Sequence, residues 1–217
     1  RVASIVKDLN LFFIGDEVYK EFIYDGAVHK SILEFGDITD RTIVVDSISK
    51  RFSCCGARIG CVITRNPDAY QAVLRFAQAR LCPPGVEQQA ALAAYRMGMD
   101  YFRPVKEEYQ RRRDVLFEGL KSIPGVVAHK PQGAFYLFPN FSSYYDKEAN
   151  GVLIRNSYGL AYYLLREAKV AIVPGDSFGA DDYIRLSYAT SMENLEKGLD
   201  RILRSFSQLK TAKKAKS

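Results

Sequence analysis

The sequence is short of the residues that metal centres and disulfide frameworks require. Two histidines, His29 and His129, accompany four cysteines, Cys54, Cys55, Cys61 and Cys82, none of them in Cys-x-x-Cys spacing. No zinc set is visible, and reduced thiols in a cytosolic protein are expected. The adjacent Cys54 and Cys55 read as plain small hydrophobes. No apolar run is long enough to span a bilayer, and the N-terminus lacks the charged-then-apolar pattern of a secretory signal. A soluble, cytoplasmic chain without a membrane partner is therefore predicted. There is no internal repeat, and no low-complexity tract outside the C-terminal tail. An initiator methionine is also missing. "RVASIVKDLNLFFIGDEVY" opens at once with Val2, Ile5, Val6 and Leu9 at helical spacing, with no N-cap residue before them, as expected of a chain that begins inside a longer protein.

The 217 residues, 47% of them hydrophobic, are enough for one large domain or two small ones with a real core. Lys and Arg number 31 against 25 Asp and Glu, for a net charge of +6. Part of that excess sits in the final "KTAKKAKS", a polar end expected to fray, so no nucleic-acid partner is predicted.

"LFFIGDE" and "TIVVDS" (42–47) are apolar runs that end in acid, and both read as buried strands with polar ends at the edge of a sheet; "IGCVIT" (59–64) reads as a third. Helical pattern then runs from Asp68 to about Lys121. It is interrupted by "CPPG" at 82–85 and again near Pro104, where the missing N–H and the ring favour a break or kink. The last piece sets Tyr109, Leu116, Leu120 and Ile123 on one apolar side, and its arginine triplet, 111–113, reads as a solvated face. After "IPGV" the texture becomes α+β. "GAFYLFPNF" and "YIRLSYAT" read as strands, "LIRNSYGLAYYLLREAKV" and "MENLEKGLDRILRSFSQL" as helices, and "VAIVPGDSFG" as a strand entering a Gly and Pro loop. Two domains are expected, 1–105 and 106–217, with a helix near 104–122 linking them.

The chemistry concentrates in "VVDSISKRFSCCGARIGCVI" (44–63). Lys50 follows two hydroxyls, Ser47 and Ser49, and precedes Arg58, whose planar fork suits a doubly charged anion, while Gly56 and Gly60 allow close backbone approach. A phosphate would satisfy all of them. An amine that acts at neutral pH also needs a neighbouring cation or burial. In "GDEVYKEFIYDG", Asp16 ends a strand and Tyr19 offers a phenolic donor; the plainer alternative is an acid that caps the next helix. A carboxylate, a phenol, a lysine, two hydroxyls and an arginine together match pyridoxal 5'-phosphate, which needs an acid at its ring nitrogen, a donor at its ring oxygen, a lysine for its aldehyde and an anion cradle.

"DEVYKEFIYDG", "SISKRFSCCGARIG", "PQGAFYLFP", "VPGDSFG" and "YIRLSYATS" occur in the order and approximate spacing of the class I aminotransferases related to aspartate aminotransferase, and the chain resembles that fold-type I family over nearly its whole length. The resemblance implies an α/β fold of the aspartate aminotransferase type, with a partial large cofactor domain followed by a small α+β domain. It implies that Lys50 forms the Schiff base and shuttles the proton, that Asp16 pairs with the pyridinium nitrogen, and that Tyr19 donates to the ring oxygen. Ser47, Ser49 and Arg58 would hold the phosphate, and Arg185 in "YIRLSYA" would hold the substrate α-carboxylate, where an ordinary edge cation is the plainer alternative. The partners implied are an amino acid, aspartate first, a 2-oxo acid, and a second copy in a homodimer. Arg80 could reach an acidic side chain across that dimer or be a solvated helix-end cation. Members of the family are typically close to double this length, so the loop and helix that bind the phosphate and the ring-stacking aromatic have no counterpart here. The rival readings are a Cβ–S lyase using the same residues, the non-catalytic aminotransferase-like sensing domain of a transcriptional regulator, and a fragment without activity of its own.

Overall fold

The computed structural model describes residues 1–212, which fall into two compact units, Arg1–Lys106 and Glu107–Ser217. The first opens with helix α1 (Val2–Asp8), of which only Val6 is buried. A three-stranded sheet follows: β1 (Phe13–Asp16), β2 (Thr42–Ser47) and β3 (Gly60–Thr64), in that order. β1 and β2 are parallel, whereas β2 and β3 are antiparallel. The crossover from β1 to β2 carries two 3-10 turns, the first started by a capping box in which Ser31 and Glu34 satisfy each other's backbone N–H groups.

The expectation of fully buried strands fails. β2 alternates, with Thr42, Val44 and Asp46 buried, while Ile14 of β1 and Val62 and Ile63 of β3 are exposed. A β-branched run is compatible with one covered face as well as two.

The four-residue helix α2 (Ile48–Arg51) leaves the end of β2, capped by Ser47 Oγ, which accepts the Ser49 N–H at 3.2 Å. Its apolar side, Ile48 with Phe52, packs on Ala91 of α4 (Gly85–Tyr95), together with Tyr101 and Phe102. Between them α3 (Pro67–Ala79) starts on an Asn66 cap with Pro67 in its first turn. The expected break near Pro104 falls earlier, around Gly98 with φ +73°. α5 (Phe102–Lys121) contains Pro104 in its first turn, where an N–H has no intrahelical partner to lose.

In the second unit α5 buries Leu116 and Leu120, with Ile123 just beyond, and Tyr109 stacks on Phe135 at 5.6 Å. The arginine triplet is not a uniform solvated face. Arg111 is exposed, whereas Arg113 is wholly buried, donating to Asp114 Oδ1 and to the Pro131 carbonyl. β4 (Tyr136–Leu137) lies in a small antiparallel sheet with the two strands that come later, β8 (Ile184–Ser187) at its centre and β7 (Val173–Pro174) at the other side. A second sheet holds β5 (Lys147–Ala149), β6 (Val152–Ile154) and β9 (Lys210–Thr211). Two expectations change accordingly. "LIRNSYGL" begins as strand β6, and helix α6 (Ser157–Tyr163) starts only at an Asn156 cap. The polar tail pairs through β9 with Lys147 and Glu148 before its last residues, 213–217, which lie outside the described residues. α7 (Met192–Phe206) buries Leu195, Leu199, Ile202 and Phe206. No helix among the described residues is long and apolar enough to cross a membrane.

Candidate active site

Parallel pairing carries the carboxyl ends of β1 and β2 to one edge, with Asp16 opposite Val45 and the Glu17 N–H donating to the Val45 carbonyl at 3.0 Å. Open α/β sheets bind ligands at that edge. Asp16 is exposed there, its Oδ1 accepting the Val18 N–H at 3.2 Å, and it forms no ion pair with any described residue. The acid therefore caps no helix. Tyr19 stands half-buried in the following turn, its ring edge-on to Phe22 at 6.4 Å.

Two residues beyond Val45, Ser47 ends β2 and caps α2; its oxygen is occupied as an acceptor, which leaves its O–H proton to donate. Ser49 and Lys50 follow on α2, both half-buried, and no carboxylate among the described residues pairs with the Lys50 amine. The antiparallel register sets Ser47 opposite Gly60, and the Ile48 N–H donates to the Ile59 carbonyl at 3.3 Å. A Cβ on Gly60 would lie 3.0 Å from the Asp46 carbonyl oxygen, so a glycine is what permits this approach. The same ladder brings Arg58 alongside α2. Arg58 is exposed, in the left-handed region at φ +56°, and donates to the Cys55 carbonyl at 2.9 Å. Asp16, Tyr19, Ser47, Ser49, Lys50 and Arg58 thus share one end of one sheet. Cys54, Cys55, Cys61 and Cys82 are free and exposed.

Sequence reasoning passed over the groups behind this edge. The buried carboxylate of the "DEVY" segment is Glu17, not Asp16: it accepts from Ser31 Oγ at 2.9 Å and the Ile32 N–H at 2.9 Å, and meets His29 Nε2 at 3.1 Å. Burial raises its carboxyl, but the Ile32 N–H, the His29 ring and the Ser31 hydroxyl outweigh that and hold it below the ordinary value. Asp46 and Arg51 are also buried, and they bracket the serine–lysine segment with opposite charges, the one signal that could have found them.

Arg185, in the second unit, lies on the central strand β8 and not at an edge. Its guanidinium stands 4.6 Å from the Tyr136 ring and 4.5 Å from the Phe178 ring, and it makes no ion pair with a described residue. Two rings against the guanidinium leave its N–H donors for a carboxylate. Arg80 is exposed at the C-terminal end of α3.

A family model described as aminotransferase class I and II matches residues 1–202. The chain is 36% identical over 217 residues to a bifunctional aspartate aminotransferase and glutamate/aspartate-prephenate aminotransferase of Petunia hybrida, covering 97% of this chain and 45% of that one. It is 36% identical to a probable aspartate/prephenate aminotransferase of Aquifex aeolicus, covering 96% and 52%. Its fold matches the crystal structure of the aspartate aminotransferase from Rhizobium meliloti with a TM-score of 0.88 at 30% identity, over 96% of this chain and 53% of that one. The chain spans about half the length of these relatives.

Proposed function

The chain belongs to the class I and II aminotransferases, and from that premise we propose that it carries the lysine-bearing part of a pyridoxal-phosphate enzyme that moves an amino group between an α-amino acid and a 2-oxo acid. The observation that carries this reading is the half-buried Lys50 amine, free of any described acid, at the same sheet end as the unpaired Asp16 carboxylate.

The donor set fits the cofactor. Asp16 would hold a proton on the ring nitrogen, Tyr19 would donate to the ring oxygen, and the Ser47, Ser49 and Arg58 groups would hold the phosphate. Pyridoxal phosphate, when bound, supplies the electron sink that lets a bond at the donor's Cα break. Lys50 Nζ takes the proton from that Cα, and in the return half of a ping-pong cycle it delivers one to the carbon of the 2-oxo acid. Arg185 orients the substrate by a bidentate pair with its α-carboxylate. Aspartate is the first candidate donor, since the Petunia and Rhizobium relatives are named as aspartate aminotransferases. A homodimer working in the cytoplasm completes the reading. Assays with aspartate and 2-oxoglutarate beside cystathionine test it. Amino transfer without release of pyruvate from cystathionine is expected, and the reverse pattern would make the protein a lyase.

A further inference from the structure

Behind the Lys50 turn lies a closed set of four charges. Arg51 Nη2 is 2.6 Å from Asp46 Oδ2, with side-chain exposures of 5% and 3%. Lys20 Nζ is 2.9 Å from the same Asp46 oxygen, and Arg51 Nε lies 3.0 Å from Glu21 Oε2, near enough to attract but without hydrogen-bond alignment. The Tyr95 ring lies 5.1 Å from the Arg51 guanidinium carbon. Asp46 Oδ1, meanwhile, accepts the Ser47 N–H at 2.8 Å. One carboxylate therefore holds the first residue of the serine–lysine segment by its backbone and the residue after Lys50 by its side chain. Lys20 and Glu21 directly follow Tyr19, so the same set fastens the Tyr19 turn to the Lys50 turn.

Desolvating four charges is expensive, and a buried ion pair is weak evidence of stability. Apolar residues of similar volume would fill this space at least as well. Burial pushes the Glu21 carboxyl up, against the lowering pull of Arg51 and Lys20, so part of the set is held at a penalty. What ions supply and apolar packing does not is directional register between two loops.

We infer that Asp46 and Arg51, with Lys20 and Glu21, are positioning residues that fix the Lys50 amine relative to Tyr19. The inference rests on the proposed role of Lys50 as the amine that captures the cofactor aldehyde. That capture joins the amine to the aldehyde carbon with loss of water, and borohydride then delivers a hydride to the carbon to leave a stable secondary amine.

The test is made on the protein expressed from its complete reading frame. Wild type, Arg51→Met, Asp46→Asn/Arg51→Met and Lys20→Gln are incubated with pyridoxal phosphate, reduced with borohydride and peptide-mapped for label on Lys50, and Tm is read without cofactor. Arg51→Met leaves Asp46 with Lys20 alone and Glu21 without its nearest cation, so both Tm and Lys50 labelling should fall. The double variant removes one charge of each sign, so its Tm should recover while labelling of Lys50 stays about tenfold below wild type. Lys20→Gln, at a partly exposed position, should keep its Tm and lose about threefold in labelling. Lys50 labelling at the wild-type level in Lys20→Gln, or in a double variant of recovered Tm, would overturn the positioning role. Wild type labelled evenly over its lysines would instead overturn the reading of Lys50 itself, and the inference with it.

Discussion

The two units spend their apolar residues differently. In Glu107–Ser217 the sequence closes its own core: Leu120, Ile123, Leu137, Phe141, Ile154, Leu160, Tyr163, Leu164 and Ile202 are all but inaccessible. In Arg1–Lys106, α3 has no buried residue, α4 has only Ala91, and Phe76, Leu81, Val86 and Met99 are each more than 70% exposed. Yet this open unit holds Asp16, Tyr19, Ser47, Lys50 and Arg58 in register. In the proposed reading, local ladders and a buried charge set place the reactive groups, whereas a surrounding wall requires long-range packing. That reading separates placement of the groups from completion of the site.

The largest effect that would sharpen this contrast is on rate. With the faces of α3 and α4 bare, residues 1–217 alone are expected to transaminate at least about a hundredfold more slowly than a full-length aspartate aminotransferase assayed beside them. Comparable turnover would erase the distinction between a placed and a completed site. A second effect should appear in stability. Leu120→Ala in the closed unit should cost about 2–5 kcal/mol in denaturant unfolding, while Phe76→Ala on the bare face of α3 should stay within about 0.5 kcal/mol. Equal losses would mean that the two units share one core.

Arg185→Lys replaces a stacked fork with a point charge, so KM for the amino-acid donor should rise about tenfold with little change in cofactor affinity. Equal loss of both would take Arg185 out of the carboxylate role. The smallest effect concerns Glu17. Its carboxyl is held below the ordinary value, so its contribution is present above about pH 4.5 and is lost as pH falls through the lowered folded value. Glu17→Gln should therefore destabilise by about 1 kcal/mol at pH 7 and unfold with a shallower acid limb than wild type. Parallel limbs would assign the acid sensitivity to other groups.

The sequence was legible where a pattern is local. β2 spans the expected 42–47, α7 follows its apolar stripe, and the serine–lysine–arginine spacing marks one sheet end. It was illegible where distant segments decide. Arg113 looks solvated beside Arg111 and Arg112 until the Pro131 carbonyl arrives from 18 residues away. β5, β6 and β9 are two- or three-residue strands, too short for alternation to register, and they exist because they pair. Asp16 drew attention as a strand-end acid, but burial went to its neighbour Glu17, because only Glu17 points where Ser31 and Ile32 return. Asp46 and Arg51 are passed over in the sequence because Lys20 and Glu21 reach them only in the fold.

The central claim is that Lys50 is the amine that captures pyridoxal phosphate, and the most direct measurement is the absorbance of the protein from its complete reading frame, loaded with the cofactor, for wild type and Lys50→Ala at equal folded concentration. A yellow wild type and a variant without the band are expected, with turnover down at least about a thousandfold. A wild type that stays colourless after incubation, or a variant as yellow as wild type, would contradict it.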